Sequence, residues 1–334
     1  MRRVLFSMVL ATLATGLAIS GWGQTAPTTA PAKKAEFPVK GKAITIMSPY
    51  AAGGSTDLVA RLIGTELEKI FGTPVQVESR PGAGGQVALT RLVQSKSDGY
   101  TLAALAIPTT LGTYMDPDRK SIYTRKSFQP LARISGASVS VVVKADGPYK
   151  TLKDLIDAAK ANPQKLRMAA GTQLSGYHLN CLQLQKVTGT KFALVNFDGG
   201  IQGVTALLGG HVDVSVNQPS EMISQVKAGT VRLLGVMDNQ ESTFFPGVKT
   251  LVSQGYNLTT LTSNVMVAPA GTPKEVVDLL SGEIKKIMAE DQFVKKAAEM
   301  GLEARYLDGA QVDALWAELE TEVGPFIMEA LKKQ

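Results

Sequence analysis

Glycine-rich turns recur between strand-like and helix-like segments, and this pattern constrains the fold more than any other feature of the chain. The β-branched run 44–46 (ITI) precedes the segment 48–61, SPYAAGGSTDLVAR. The run 75–77 (VQV) precedes the segment 78–86, ESRPGAGGQ, in the same way. Apolar residues at helical spacing follow each turn. Because strands and helices that alternate in this way are typical of wound α/β proteins, we predict that fold class.

Turns of this kind can bind anions. The first backbone N–H groups of a helix have no partner within the helix and carry a partial positive charge. Two further turns follow predicted strands, at 169–178 (AAGTQLSGYH) and at 196–200 (NFDGG). In open α/β sheets, such loops meet at the carboxyl ends of the strands. We predict that the four loops line one cleft; the alternative is four ordinary strand–turn–helix connections.

The first turn combines flexible and hydrogen-bonding residues. Gly53 and Gly54 permit close approach of the backbone to a ligand, while Ser55 and Thr56 add hydroxyl donors. A carboxylate would repel an anion, so Asp57 is predicted to accept backbone N–H bonds and fix the loop.

The other turns supply further donors without a nucleotide-binding signature. The turn RPGAGG lacks the Lys-Ser/Thr pair of a P-loop and the spacing of a dinucleotide fingerprint, which disfavours nucleotide binding. In the third turn, Tyr177 is predicted to form an apolar wall. The donors of that turn are Gly171, Thr172, Gln173, Ser175 and Gly176.

Residues for catalysis or metal binding are scarce. His178 and His211 are the only histidines and Cys181 is the only cysteine. The sequence therefore has few candidate residues for a histidine-based metal site or a catalytic triad. His178 is predicted to be structural and Cys181 to be a small buried hydrophobe, with no intrachain disulfide possible. The sequence therefore predicts no catalytic residue, no metal and no cofactor.

The first residues are predicted to be a targeting segment. Arg2 and Arg3 precede the apolar stretch 4–19, and small or polar residues follow at 20–24, which is the pattern of a secretory signal peptide. We predict a signal peptide over 1–23, export to the periplasm, and a disordered tether over 24–36. Roughly 300 residues remain, enough for two domains.

Charge argues against a nucleic-acid partner. The formal net charge is +6, and the positive side chains are spread along the chain rather than gathered in a stripe. We therefore expect no nucleic acid among the partners.

The alternating pattern stops before the end of the chain. Strand and helix signals alternate from residue 37 to about 267, and from Thr272 onward the sequence predicts helices with no further strand. The simplest arrangement is two lobes joined by two crossings, with the C-terminal helices packed on the first. We predict lobe 1 over 37–141 plus 262–334 and lobe 2 over 142–261.

The motifs, in their order along the chain, resemble those of the periplasmic substrate-binding proteins of tripartite tricarboxylate transporters, the Bug or TctC family. Singly the motifs are weak, but the series covers almost the whole chain after the tether. They are PYAAGGSTDLVAR (49–61), VESRPGAGGQVA (77–88), SDGYTL (97–102), GTQLSGYHL (171–179), VNFDGGIQGVTALLGGHVDV (195–214), AGTVRLLGV (228–236) and APAGTP (268–273).

The resemblance implies a fold and a function. It implies a type II periplasmic binding protein fold, in which two wound α/β lobes enclose a ligand cleft. It also implies a non-enzymatic receptor, expected to be a monomer, that binds a small organic carboxylate and delivers it to the membrane permease subunits of the transporter. In this family backbone amides, hydroxyls and ordered waters hold the ligand carboxylate.

The resemblance also implies ligand-binding residues by position. In the first lobe these are Tyr50, Ala52, Gly53, Ser55, Thr56, Asp57, Ala83 and Gly84. In the second lobe they are Thr172, Gln173, Ser175, Gly176, Asp198 and Gly199. The loop GTQLSGYHL is shorter and less glycine-rich than the commoner family loop, so the sequence leaves the identity of the carboxylate open.

Two other functions fit the same cleft. A sensor subunit could bind the same ligand and present it to a membrane signalling system. An exported α/β enzyme acting on carboxylates would need a general base near the loops, and Asp57 and Asp198 are the local candidates.

Overall fold

The computed structural model describes residues 37–332, so the predicted signal peptide and tether lie outside the described residues. Strands and helices alternate through most of this range. The strands are β1 (Ile44–Ser48), β2 (Val75–Ser79), β3 (Thr101–Ile107), β4 (Phe128–Ala137), β5 (Ser140–Lys144), β6 (Arg167–Gly171), β7 (Ala193–Phe197), β8 (Val214–Asn217), β9 (Val231–Val236), β10 (Thr262–Pro269) and β11 (Ala304–Asp308). The helices are α1 (Ser55–Phe71), α2 (Gln86–Val93), α3 (Thr109–Met115), α4 (Leu152–Ala161), α5 (Gly176–Thr188), α6 (Gly200–Leu208), α7 (Pro219–Lys227), α8 (Lys274–Met288), α9 (Asp291–Glu299) and α10 (Gly309–Lys332).

Two mixed sheets organise the chain. The first has the strand order β11-β4-β10-β3-β1-β2 and the second has the order β7-β6-β8-β5-β9. We call the first sheet with α1–α3 and α8–α10 the first lobe, and the second sheet with α4–α7 the second lobe. The predicted two-lobe α/β architecture is confirmed.

Each sheet repeats the same arrangement. Three neighbouring strands are parallel, β2-β1-β3 in one sheet and β7-β6-β8 in the other. The next strand, β10 or β5, runs antiparallel to both of its neighbours. These are the strands with which the chain enters a lobe from the other one, between residues 137 and 140 and between 236 and 262. Each sheet is therefore mixed, with three parallel strands beside antiparallel ones.

Strand β11 corrects the prediction that no strand follows Thr272. It pairs antiparallel with β4 at the edge of the first sheet. Residues 304–307 are half-buried and Asp308 is exposed, so the segment lacks the alternation of apolar and polar residues that marks a half-buried strand. Pairing with β4 supplies the order that the local sequence does not indicate.

Large apolar residues fill both faces of the first sheet. One cluster joins β1, β3 and β10 to α1 and α8, with Ile46, Ile63 and Ile284 fully buried. On the opposite face, Trp316 of α10 stacks on Phe128 with ring centroids 5.7 Å apart. The C-terminal helices thus pack on the first lobe, and their burial fixes the sheet that carries the first glycine-rich turns.

The second lobe has its own core. Helix α4 buries Leu152, Leu155 and Ile156 against strands of the second sheet. Cys181 is fully buried in the same cluster, as predicted, and burial raises the pKa of its thiol well above the usual range. None of the helices within residues 37–332 is both long and apolar enough to cross a membrane.

Thr151 begins α4, and its replacement is expected to destabilise the protein. Its hydroxyl accepts a hydrogen bond from the Asp154 N–H, and the Asp154 carboxylate accepts one from the Thr151 N–H. Loss of this cap in Thr151→Ala should lower the free energy of unfolding by about 1 kcal/mol, measured by urea denaturation. Thr321→Ala, on the exposed face of α10, is the control and should change stability by less than about 0.5 kcal/mol. Equal effects of the two changes would rule out a capping role.

Candidate functional site

A cleft lies between the two lobes at the carboxyl ends of the parallel strands. It contains about 560 Å³ of space between protein atoms, part of it open to solvent. The first lobe contributes Tyr50, Ala51, Gly54, Ser55, Thr56, Gly84, Ala106, Thr109 and Thr262. The second lobe contributes Gly171, Thr172, Ser175, Tyr177, Asp198, Gly199, Gly200, Ile201, Gln202, Gln218 and Glu221. The four predicted loops therefore do meet at one cleft.

The first glycine-rich turn presents free donors to this cleft. Gly54 is the N-cap of α1, and its own N–H bonds the carbonyl of Ala51. Among the described residues, no acceptor faces the N–H groups of Ser55 and Thr56. These groups carry the positive end of the α1 dipole, so an anion in the cleft would be stabilised there.

Asp57 fixes the shape of that turn, as predicted. Its carboxylate accepts hydrogen bonds from the Gly53 N–H at 2.9 Å, from Arg61 Nε at 2.8 Å and from Ser79 Oγ at 2.6 Å. Burial alone would raise the pKa of Asp57, but these donors and the Arg61 charge outweigh it and hold the pKa below its ordinary value. Asp57 is not among the residues that line the cleft.

The third turn begins α5. Ser175 is the N-cap, and its hydroxyl accepts from the His178 N–H. The His178 ring accepts from the Leu174 N–H through Nδ1 at 3.2 Å, and burial lowers the pKa of this histidine. His178 therefore has the structural role that the sequence predicts.

Several bonds tie this turn to the first lobe. The Gly176 N–H donates to Thr109 Oγ1 at 3.0 Å. Arg119 donates to the carbonyl of Ala83 at 2.7 Å and to the carbonyl of Gln173 at 2.8 Å. One guanidinium thus joins a loop of each lobe at the rim of the cleft.

The structure divides the predicted ligand contacts into two groups. Eight line the cleft: Tyr50, Ser55, Thr56, Gly84, Thr172, Ser175, Asp198 and Gly199. The other six are Ala52, Gly53, Asp57, Ala83, Gln173 and Gly176. Of these, Ala52 is exposed at the turn, and the remaining five make the bonds just described, which shape and join the loops. Direct contact of any of the fourteen with a ligand stays a prediction.

Residues from outside the four turns complete the cleft. Ala106 and Thr109 come from the end of β3 and the start of α3, Thr262 from the start of β10, and Gln218 and Glu221 from the start of α7. Only the last two carry a sequence signal. Gln218 and Glu221 have the spacing of a capping box, with Pro219 at the first position of the helix.

Glu221 is the centre of a buried polar network in the second lobe. Its carboxylate accepts from Tyr177 Oη at 2.7 Å, from Asn217 Nδ2 at 3.0 Å and from the Gln218 N–H at 3.2 Å. Gln218 Nε2 donates in turn to Tyr177 Oη at 3.1 Å. Burial raises the pKa of Glu221, and the three donors oppose this by stabilising the ionised form.

One polar atom of the cleft is buried without a hydrogen-bond partner among the described residues. It is the side-chain oxygen of Gln202. Buried polar atoms are normally hydrogen-bonded, so this oxygen is a candidate for contact with a bound molecule.

The described residues of the cleft contain no cluster of metal-binding side chains. Within residues 37–332, no three His, Cys, Asp or Glu side chains come together in a way that could hold an ion. Its chemistry is that of hydroxyls, amides, helix N-termini and the two carboxylates Asp198 and Glu221.

Known proteins are similar to this chain in sequence and architecture. Residues 59–331 match the family described as "Tripartite tricarboxylate transporter family receptor". The UPF0065 protein in the gbd 5′ region of Cupriavidus necator is 34% identical over 280 residues, which is 82% of this chain and 83% of that protein. Protein BugT of Bordetella pertussis is 27% identical, over 83% of this chain and 85% of that protein. The solved structure of MatC from Rhodopseudomonas palustris with bound malate has a TM-score of 0.78 at 24% identity, covering 87% of this chain and all of the other.

The match to the family spans most of the chain and includes elements of both lobes. The fold agrees with it, since the structural neighbour covers the same two lobes. The chain therefore belongs to the receptor family of the tripartite tricarboxylate transporters.

Proposed function

We propose that this protein is a periplasmic receptor that binds a small organic carboxylate between its lobes and delivers it to transporter permease subunits. The observation that carries the proposal is the free N–H groups of Ser55 and Thr56, which face an inter-lobe cleft at the N-terminus of α1. Malate bound to MatC, a protein of the same fold, supports a carboxylate as the ligand class.

A carboxylate at this helix end would exchange its hydration shell for several fixed donors. The Ser55 and Thr56 N–H groups and the Ser55 hydroxyl would reach it from the first lobe, and the Thr172 hydroxyl from the second. Waters bridging to either lobe would satisfy the remaining lone pairs.

Closure of the lobes would bury the ligand. Two chain crossings join the lobes, and we propose that they act as a double hinge between the first and the second lobe. The first crossing comes before the predicted boundary at residue 141, because β5 pairs in the second sheet from Ser140 onward. Arg119 already joins the two lobes through its bonds to Ala83 and Gln173, and ligand contacts from both lobes would add to these bonds.

A receptor fits the site better than an enzyme does. Asp57, one candidate base, accepts bonds from three donors and does not line the cleft. Asp198, the other, lies exposed at the rim of the cleft, where no other described side chain bonds it. We propose that the protein has no catalytic activity and acts as a monomer, and that residues 1–23 are a signal peptide that directs it to the periplasm.

Binding of carboxylates is the direct test. Thermal-shift screening of the mature protein with mono-, di- and tricarboxylates, followed by calorimetry, should find a ligand that saturates one site. Sugars and amines without a carboxylate should not bind. Saturable binding restricted to those uncharged or purely cationic compounds would contradict the proposed function.

Ser55→Ala should weaken binding of the carboxylate found in this way. Loss of a hydroxyl that donates to a charged group costs about 1.5 kcal/mol, so Kd should rise about tenfold. Ser281→Ala is the matched control, because Ser281 lies on α8 away from the cleft lining. An unchanged Kd for Ser55→Ala would show that this hydroxyl does not contact the ligand.

A further inference from the structure

The two ends of the cleft differ in charge. The first-lobe end presents the free N–H groups of Ser55 and Thr56. The second-lobe end presents the Glu221 carboxylate, which lines the cleft although the residue is only 7% exposed. Neither lysine nor arginine is among the described residues that line the cleft, while Asp198 and Glu221 both are.

From this asymmetry we infer that the ligand is an aminocarboxylate, whose carboxylate binds the α1 N-terminus and whose ammonium group faces Glu221. The inference rests on the proposed function and narrows its ligand class. It excludes di- and tricarboxylates as the preferred ligands, because their second carboxylate would face Glu221.

The hydrogen bonds around Glu221 are those of an ionised carboxylate. Each of its contacts is a donor, from Asn217, from the Gln218 backbone and from the Tyr177 hydroxyl. The Tyr177 hydroxyl accepts from Gln218 Nε2 and donates its own proton to Glu221 Oε1. Oε2 receives two of these bonds and Oε1 only one, which leaves Oε1 able to accept another donor.

Glu221 has no cation beside it in residues 37–332, where it forms no ion pair. It lies against the first residue of α6, since a Cβ placed on Gly200 would be 2.0 Å from its Oε2. The positive end of the α6 dipole therefore stabilises the Glu221 carboxylate. A ligand carboxylate would find this end of the cleft occupied by negative charge.

A second observation points to the same ligand chemistry. The side-chain oxygen of Gln202 is buried with no hydrogen-bond donor in the described part of the chain. Gln202 lines the cleft at the same end, on the first turn of α6. An ammonium group carries three N–H donors and no acceptor, so it could satisfy both this oxygen and Glu221 Oε1.

Glu221 also completes the capping box of α7. A residue that served only this purpose would influence stability and all ligands alike. The test therefore compares ligands that differ only in the sign of their distal charge.

Calorimetry with matched ligand pairs tests the inference. In each pair an ammonium nitrogen replaces the second carboxyl carbon: glycine with malonate, β-alanine with succinate, 4-aminobutyrate with glutarate, 5-aminopentanoate with adipate, and 6-aminohexanoate with pimelate. At the best length, wild-type protein should bind the aminocarboxylate at least about tenfold more tightly than its partner. Glu221→Gln should lose that preference, because its Kd for the aminocarboxylate should rise and its Kd for the dicarboxylate should fall.

Two variants separate charge from structure. Tyr177→Phe removes one donor to Glu221 but keeps its charge, so the preference for aminocarboxylates should remain. Asp146→Asn removes an exposed carboxylate of the second lobe that does not line the cleft, and should change either Kd by less than about threefold. Tighter binding of dicarboxylates by wild type, or loss of the preference in Tyr177→Phe, would overturn the inference while leaving a carboxylate receptor intact. Absence of binding by every carboxylate would instead refute the proposed function.

Discussion

Replacing Gly112 with alanine is expected to force the two lobes apart and to weaken ligand binding at least about tenfold. Gly112 lies buried in α3, where a Cβ would be 2.2 Å from the carbonyl oxygen of Leu174 and 2.9 Å from its carbonyl carbon. Both atoms belong to the backbone of the second lobe. Since these atoms are backbone and not the end of a flexible side chain, either α3 or the loop at Leu174 has to move.

Leu174 leaves little room for that movement. Its side chain is fully buried in the core cluster that contains Leu111 and Trp316 of the first lobe. Its backbone has a φ of 61°, a left-handed conformation that is costly for a leucine and persists only where the surroundings determine it. A shift of this residue would withdraw Gln173 from Arg119 and Gly176 from Thr109.

Overpacking of this kind should lower the free energy of unfolding by about 1–3 kcal/mol in urea denaturation. Gly282→Ala is the matched control, because Gly282 is also helical and a Cβ there meets no atom within 4 Å. Alanine forms helices better than glycine, so this control should stabilise the protein by up to about 1 kcal/mol and leave Kd unchanged. Wild-type affinity in Gly112→Ala would show that binding does not depend on this inter-lobe contact.

The predictable part of the fold is the part that local sequence encodes. The turn at Gly54 follows a β-branched run and the turn at Ser175 follows another predicted strand, and a helical pattern comes after each, so both turns could be predicted from the sequence. The role of Asp57 followed from chemistry alone, because a carboxylate at a helix N-terminus competes with an anionic ligand unless it caps the loop.

The unpredicted part depends on contacts between distant segments. The antiparallel direction of β5 and β10 follows from the two chain crossings, which no local pattern encodes. Thr109 enters the cleft because α3 packs against α5 of the other lobe. Glu221 has a visible capping-box spacing, but that spacing usually marks an exposed residue, so its burial beside the cleft could not be read from it.

Asp57→Ala is expected to be among the most damaging changes to the first lobe. The carboxylate is 1% exposed and accepts bonds from Gly53, Arg61 and Ser79. Arg61 is half exposed, so water can replace its partner. The Ser79 hydroxyl and the Gly53 N–H are less accessible, and each buried group left without an acceptor costs about 1–3 kcal/mol.

The free energy of unfolding of Asp57→Ala should therefore fall by about 3 kcal/mol in urea denaturation. Kd should rise as well, because the turn that presents the Ser55 and Thr56 N–H groups loses its support. Asp57→Asn keeps one acceptor oxygen and should lie between wild type and Asp57→Ala. Asp154→Asn is the control: Asp154 also accepts backbone N–H bonds, but it is exposed at α4 and water can take its place.

Acid titration adds a readout specific to the Asp57 charge. The pKa of Asp57 is lower in the folded protein than in the unfolded chain, where it is about 4. Its stabilising contribution is thus fully present above about pH 4 and is lost as the pH falls through the folded pKa. The stability difference between wild type and Asp57→Asn should accordingly shrink in acid. If the stability difference between the two proteins stayed constant from neutral pH to below pH 3, the effect would come from the shape of the side chain rather than from the ionised carboxylate.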